Sequence, residues 1–203
     1  MLKVPHVSTS ISKLGTIPAI NLPAGLSCRP DAPCFKGCYA RKGRFCFENV
    51  RKSVSDNLAC WTENPLLYRQ TVEWYAMQNR FFRWHSSGDI PDESYLSMMF
   101  DVAEAVPSCQ FLAFTKRYEW VNGLLARRAK PANLSIVLSA WGNWIPDNPH
   151  NLPIAYVHLR SGEGASFIPA DAKSCSGACY KCVAGDQNCW ALKSGESVVF
   201  NQH

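Results

Sequence analysis

The strongest constraint on the fold is an alternation of strand-like and helix-like patterns between residues 81 and 160. Short apolar runs predict strands in "FFRWHSSGD", "CQFLAFTK", "NLSIVLSAW" and "IAYVHLR". Apolar residues at helical spacing fill "PDESYLSMMFDVAEAV", with Pro91 in its first turn, and "YEWVNGLLARRAK". Strands that alternate with helices are typical of βαβ units. We therefore predict an α/β fold, either a partial (βα) barrel or an open, mainly parallel sheet of about five strands.

The flanking segments complete one predicted domain over residues 1–203, a length that can bury a core. Residues 1–45 predict Cys-containing loops with one short strand near "IPAINLPA". Two helices follow, in "FENVRKSVSDNLACW" and "NPLLYRQTVEWYAMQNR", the second with Asn64 as N-cap and Pro65 in its first position. Residues 171–203 form a Cys-rich extension that ends in the strand-like "SVVFNQH".

Polar residues follow the predicted strands, where parallel α/β folds bind ligands. The predicted ligand-binding residues are His85, Ser87, Gly88, Asp89, Lys116 and Arg160. Asp89 has an alternative role as N-cap of the helix that begins at Pro91. Side chains two residues apart on a strand lie on the same face, so Arg83 is grouped with His85 and Trp84 with Ser86. Which pair faces the helices stays open. Catalytic residues stay unknown, because no G-x-S-x-G, Walker or H-E-x-x-H motif occurs.

The C-terminal cysteines, spaced C-x3-C-x2-C-x6-C, predict a metal site at Cys175, Cys179, Cys182 and Cys189. Thiolates are soft donors that select zinc or iron–sulfur clusters. The crowding of three cysteines within eight residues favours a cluster over zinc, which usually takes two separated pairs. A disulfide framework is the third alternative, and it requires an oxidising compartment.

A second set, Cys28, Cys34 and Cys38, predicts another loop-borne metal site. Three thiolates leave one iron of a cluster open to a substrate, a small ligand or a cysteine from the other set. Nearby cations would stabilise thiolates, unless they are ordinary solvated side chains; they are Lys36, Arg41, Lys42 and Arg44. Cys60 and Cys109 are predicted to be buried apolar residues, and Cys46 is ambiguous.

Composition and charge narrow the functional classes. No signal peptide or apolar run of membrane-spanning length occurs, so we expect a reducing cytoplasm and no membrane contact. A formal net charge of +5 is weak support for a nucleic-acid partner.

The motifs "SKLGTIPAINLPA", "CYARKG", "FRWHSSGD", "FLAFTK", "NLSIVLSAW" and "VVFNQH" resemble, in this order, the phage gene-product-eighty-eight family. This resemblance implies a viral protein that acts in a bacterial host. A more distant resemblance is to radical S-adenosylmethionine enzymes, which are partial barrels with three cysteines after the first strand. "SSGDIP" is similar to their Gly-Gly-Glu stretch. Their C-x3-C-x2-C spacing occurs here only at Cys175–Cys182, and Arg41 stands where the third N-terminal cysteine would fall, which argues against S-adenosylmethionine as cofactor.

These observations predict a phage-encoded iron–sulfur protein of the host cytoplasm with one or two [4Fe–4S] clusters. Its role would be electron transfer or redox chemistry with a redox partner or small ligand that the sequence does not identify. One alternative is a radical-type enzyme. The other is a zinc protein that binds host protein or nucleic acid.

Overall fold

The computed structural model describes residues 3–185 and 188–202, and within them eight strands and five α-helices. The strands are β1 (Val7–Ser8), β2 (Ala19–Ile20), β3 (Phe81–Trp84), β4 (Gln110–Thr115), β5 (Leu134–Ser139), β6 (Ile154–His158), β7 (Lys173–Ser174) and β8 (Ser197–Asn201). The helices are α1 (Glu48–Glu63), α2 (Pro65–Met77), α3 (Glu93–Ala105), α4 (Tyr118–Leu125) and α5 (Cys179–Cys182). Short 3-10 turns include Pro33–Phe35, Tyr39–Arg41, Gly43–Cys46 and Cys189–Ala191.

All the strands belong to one open sheet in the order β1-β2-β3-β4-β5-β6-β8-β7. Only the β1–β2 pair is antiparallel among the described strands, which confirms the predicted α/β class and mainly parallel sheet. The described sheet has eight strands where the sequence predicts about five. Two of the additional strands, β1 and β7, have two residues each, too few to give an alternating apolar pattern.

Helices α1 to α4 cover one face of the sheet. The alternation along β3 places Phe82 and Trp84 on this face, where they pack with Tyr68 of α2 and Tyr95 of α3. The same cluster includes Phe111 of β4 and residues of β5, α1 and α4. This layer is the larger part of the core, and it fixes the strands whose carboxyl ends carry the polar loops.

Two segments without long helices cover the opposite face. Leu14 and Ile17 precede β2, and Cys179 and Trp190 belong to the C-terminal extension; all are buried against Leu112, Val137 and Val198 of the sheet. The cysteine-rich extension is therefore part of the second core, where the sequence predicts a loop-like appendage.

The helix boundaries follow the capping residues. Asn64 caps α2 through a bond from the N–H of Leu67 at 3.1 Å, and Pro65 is the first helical residue, as predicted. Helix α3 instead begins at Glu93, capped by Asp92, so the prediction that it begins at Pro91 is wrong. No helix in the described ranges is long and apolar enough to cross a bilayer.

Candidate functional site

The four C-terminal cysteines line one cavity of about 40 Å³ on the sheet face opposite helices α1 to α4. Their loop is attached to the sheet at two points. The N–H of Cys175 donates to the carbonyl of Val199 at 2.9 Å, and the N–H of Cys179 donates to the carbonyl of Lys13 at 2.8 Å. The four cysteines predicted to form one metal site are thus brought to one place.

Trp190 fixes the end of this loop in the core. Its indole N–H donates to the carbonyl of Phe82 at 3.1 Å, and its ring packs edge-on against Phe81 with centroids 5.6 Å apart. The hydroxyl of Ser135 donates to the carbonyl of Cys189 at 3.0 Å. The position of Cys189 is therefore set by β3 and β5, and not by the loop alone.

The described thiols are free and not arranged around a single point. All ten cysteines lack a disulfide, so the disulfide alternative has no support in the structure. In residues 3–185 and 188–202, no three His, Cys, Asp or Glu side chains stand together as a ready metal-binding group. Burial raises the pKa of Cys179, and that of Cys189 to about 12. The C-terminal thiols surround a cavity, and they would have to converge on it to bind a metal.

The N-terminal cysteines lie on short turns above the carboxyl ends of β3 and β4. Cys28, Cys34 and Cys38 are each half-buried. Burial is the main cause that raises the pKa of Cys28 and Cys34, and the charges of Asp89 and Cys38 add to the rise at both thiols. The charge of Lys116 opposes the rise at Cys34. The three thiols therefore share one neighbourhood that also contains a strand-end cation.

The two cysteine sets form separate neighbourhoods. The leading electrostatic influences on Cys28 and Cys34 include thiols of the N-terminal set and none of the described C-terminal thiols. Among thiols, only those of the C-terminal set are leading influences on the pKa of Cys179 and Cys189. None of Cys28, Cys34 and Cys38 is among the residues that line the C-terminal cavity.

Arg83 lies between the two neighbourhoods. Its guanidinium stacks on Phe114 at 4.3 Å from the ring centroid, and its Nε donates to the carbonyl of Trp84 at 3.0 Å. Burial lowers its pKa, and the groups that oppose this are Cys179, Tyr39, Cys189 and Cys175. No ion pair joins Arg83 to a described carboxylate. A half-buried cation faced by thiols suits a site that holds negative charge.

Lys13 adds a second cation to the C-terminal cavity. Its ammonium lies 4.8 Å from the centroid of the Phe200 ring, at the edge of the same sheet face. Together with Arg83 it lowers the pKa of Cys179 and Cys189, against the larger effect of burial. Two cations therefore act on the same buried thiols.

Asp89 holds the ends of two strands together. One carboxylate oxygen accepts bonds from the hydroxyl of Thr115 at 2.6 Å and the N–H of Ile90 at 2.8 Å. The other accepts from the N–H of Lys116 at 2.9 Å. Burial raises the pKa of Asp89, and these donors oppose the rise. Asp89 is thus not the N-cap of α3, a role that belongs to Asp92, and its described contacts are structural.

Ser87 and Gly88 join the same strand end to the loop after β2. The hydroxyl of Ser87 donates to the carbonyl of Leu22 at 3.0 Å. Gly88 has a φ of +79°, and a Cβ there would lie 2.6 Å from that carbonyl oxygen and from the Ser27 hydroxyl. Only glycine fits this close approach of two loops. These two residues position the loop that carries the N-terminal cysteines.

His85 turns away from the strand pattern and enters the helix layer. Its φ is +54°, which breaks the parity that would have placed it beside Arg83. Its Nε2 is 2.9 Å from the hydroxyl of Tyr95, which is 2.7 Å from the hydroxyl of Tyr68. Burial, and then the charge of Arg83, lowers the pKa of His85 to about 3. The ring is therefore a neutral, buried group.

The remaining predicted ligand residues are more accessible. The Lys116 ammonium is 5.9 Å from the ring centroid of Trp141, close to the N-terminal cysteines. Arg160 follows β6, and its N–H donates to the side-chain oxygen of Gln202 at 2.8 Å. No hydrogen bond or ion pair of the described residues joins Arg160 to Asp89 or Lys116. Of the six predicted residues, Lys116 and Asp89 have charged ends that act on the N-terminal cysteines.

The three other cysteines lie outside both sets. Cys60 and Cys109 are buried in the helix layer, as predicted, and burial raises the pKa of Cys109 to about 12. Cys46 is exposed, and its thiol donates to the carbonyl of Arg41 at 3.3 Å.

Sequence reasoning missed Arg83 and Lys13 as parts of the site. A signal existed for Arg83, because a charged residue within "FFRW" needs a reason to lie on a half-buried strand. No comparable signal marks Lys13, since its position depends on how residues 11–17 cross the sheet.

The fold and site together define a class, an α/β protein whose open sheet carries cysteine-rich segments on and above one face. The chain belongs to the Gene product 88 family of phage proteins, whose family profile matches residues 4–158. The match confirms the first resemblance and includes the N-terminal cysteines, but it ends before the C-terminal set. No curated protein and no solved structure matches the chain, and nothing in these comparisons supports the radical S-adenosylmethionine resemblance.

Proposed function

We propose that this phage protein binds a [4Fe–4S] cluster on Cys175, Cys179, Cys182 and Cys189 and acts in electron transfer or redox chemistry. The observation that carries the proposal is that these four thiols line one cavity, to which Arg83 and Lys13 bring two positive charges. The proposal assigns the protein to the host cytoplasm, where thiols stay reduced.

Charge balance supports an anionic centre at this position. Four thiolates around a [4Fe–4S] core in its oxidised form carry a net charge of −2, which two neighbouring cations offset. Arg83 is half-buried, donates to the carbonyls of Trp84 and His85, and has no described carboxylate partner. An anionic cluster beside it would supply the missing negative charge.

The N-terminal cysteines are the second cluster site of the proposal. Cys28, Cys34 and Cys38 share one neighbourhood with Lys116 at the strand ends, where parallel sheets bind ligands. Three thiolates would leave one iron available to a small ligand there. Strands β2 to β6 follow chain order with helices on one face, and we infer from this that the fold is an open relative of the partial (βα) barrel.

Zinc is the second candidate, and the size of the C-terminal cavity favours it. A cavity of about 40 Å³ suits a single ion, whereas a four-iron cluster requires the cysteine loop to move outward. Cys175, Cys182 and Cys189 are only half-buried, so these three can shift outward while Trp190 stays in the second core.

Anaerobic purification followed by iron, acid-labile sulfide and zinc analysis tests the proposal. We expect brown protein with about four irons and four sulfides for each occupied site. Colourless protein with stoichiometric zinc would establish the second candidate, and protein without metal would refute both.

Serine substitutions then assign the sites. Cys179→Ser should lose the C-terminal iron alone, and Cys34→Ser the N-terminal iron alone. Cys46→Ser is the matched control, because this exposed cysteine lies in neither set. Loss of all iron from either single change would show one shared cluster and contradict the two-site arrangement.

A further inference from the structure

The whole net charge of the protein is concentrated in one short segment. Residues 28–52 contain seven of the 21 Lys and Arg residues and only two of the 16 Asp and Glu residues, a net charge of +5. The rest of the chain has 14 residues of each sign and is neutral. We call residues 28–52 the basic segment. The formal net charge of the chain is therefore carried by one contiguous segment of the sequence.

Most of this charge is exposed and unpaired. Arg29 and Lys52 form the ion pairs of the basic segment with described carboxylates. The other five cations are exposed and form none among the described residues; they are Lys36, Arg41, Lys42, Arg44 and Arg51. Uncompensated charges at this density attract a polyanion.

Aromatic rings lie between these cations. Phe47 is 58% exposed, and Tyr39 is 49% exposed. Phe45 packs edge-on against Tyr39 with centroids 5.7 Å apart, and the Arg41 guanidinium lies 4.5 Å from the centroid of Phe35. Rings and guanidinium planes interleaved with cations are the features on which unpaired bases stack, and a duplex hides the faces of its bases.

The basic segment is ordered before any partner binds. Its three 3-10 turns are closed by backbone bonds, such as that from the N–H of Phe35 to the carbonyl of Ala32 at 2.9 Å. The hydroxyl of Tyr39 donates to the carbonyl of Ser86 and holds the segment on the end of β3. A preformed surface loses less entropy on binding than a free loop.

A polar cavity adjoins the aromatic part of the segment. It measures about 120 Å³, and Phe45 and Asn49 form one side of it. Ser8 and Ser53 also line it, whereas the amides of Asn21 and Asn57 are already bonded to backbone groups of the fold. Groups such as the Asn49 amide and the Ser8 hydroxyl bond the edges of bases and the hydroxyls of sugars. An acidic protein would be attracted by the positive charges, but it has no base or sugar to place in this cavity.

We propose that the basic segment is a binding surface for single-stranded nucleic acid, with the polar cavity beside it accepting a base or sugar. This inference does not depend on which metal the cysteines hold. It requires only the metal-loaded protein as purified.

Fluorescence anisotropy with labelled 20-nucleotide dT and rU strands, and with a duplex of the same length, tests the surface. We expect both single strands to bind more tightly than the duplex at 50 mM salt. Five phosphate contacts give a slope of about −3.5 in log K against log salt for single strands. Tighter binding of dT identifies the ligand as single-stranded DNA, and tighter binding of rU identifies it as RNA.

The triple variant Arg41→Gln, Lys42→Gln, Arg44→Gln should reduce the slope to about −1.4 and weaken binding more than a hundredfold at 50 mM salt. A control triple, Arg80→Gln, Arg127→Gln, Lys193→Gln, has the same net charge and should bind like the natural protein. Both triples change exposed side chains, and thermal unfolding checks that they fold.

Stacking is tested separately from charge. Phe47→Ala should weaken binding at least about fivefold, and Phe47→Trp should preserve it. The proposal is overturned if the strands do not bind, if the two triples weaken binding equally, or if Phe47→Ala has no effect. Competition by polyglutamate as strong as that by dT would also overturn it, and would identify the surface as a site for an acidic protein.

Discussion

The buried imidazole of His85 should make the protein less stable in mild acid. Its pKa is lowered to about 3, whereas a histidine in an unfolded chain titrates near 6.5. Between these values the unfolded state binds a proton that the folded state excludes, so stability is full above about pH 6.5 and falls as the pH drops. At about 1.36 kcal/mol per pH unit, lowering the pH from 7.5 to 5 costs about 2 kcal/mol through this residue.

His85→Asn removes the titrating group at a position whose φ of +54° asparagine tolerates. Urea unfolding followed by tryptophan fluorescence at pH 7.5, 6.5 and 5 gives the free energy of unfolding for both proteins. The natural protein should lose about 2 kcal/mol more than the variant over this range. The control His158→Asn removes an exposed histidine and should retain the acid loss. Equal losses in the natural protein and His85→Asn would show that His85 is not buried in its neutral form.

Three further predictions concern the site and the loops around it. Arg83→Gln should lower the reduction potential of the C-terminal centre by an amount on the order of tens of millivolts, because it removes a nearby cation. Redox titration measures this change. Arg83→Lys should restore most of the loss, and Arg80→Gln, a change of an exposed neighbouring residue, should leave the potential unchanged. Asp89→Asn should cost about 1–3 kcal/mol in urea unfolding, because the amide replaces one acceptor oxygen with an NH2 donor that faces existing donors. An unchanged midpoint would contradict the described network. Gly88→Ala should cost about 1–3 kcal/mol or more, since a Cβ meets a backbone oxygen at 2.6 Å, and full stability would disprove this close approach.

Local sequence patterns predicted the helix side of the fold well. Helices α1 and α2, the cap at Asn64 and the parallel strands β3 to β6 follow from apolar spacing and capping residues, which act within a few positions. The start of α3 was mispredicted: Pro91 suits a first turn, but Asp92 is the N-cap, so the helix begins at Glu93. Local rules thus fail where two nearby residues offer the same role.

The other sheet face was beyond these rules. The position of Arg83 depends on how residues 11–17, 175–185 and 188–192 cross the strands, and such contacts between distant segments leave no periodic signal. His85 has the parity of Arg83, yet its left-handed backbone sends its ring to the helices. The sequence therefore identified the cysteines as a group but not the cations that distinguish their surroundings.

The C-terminal cysteine loop is also a lid on the core, since Trp190 and Cys179 cover apolar residues of the sheet. If the four cysteines bind a metal as proposed, the metal would tie the loop together and oppose any opening that exposes this sheet face to proteases. The lifetime of the chain would then follow the supply of metal.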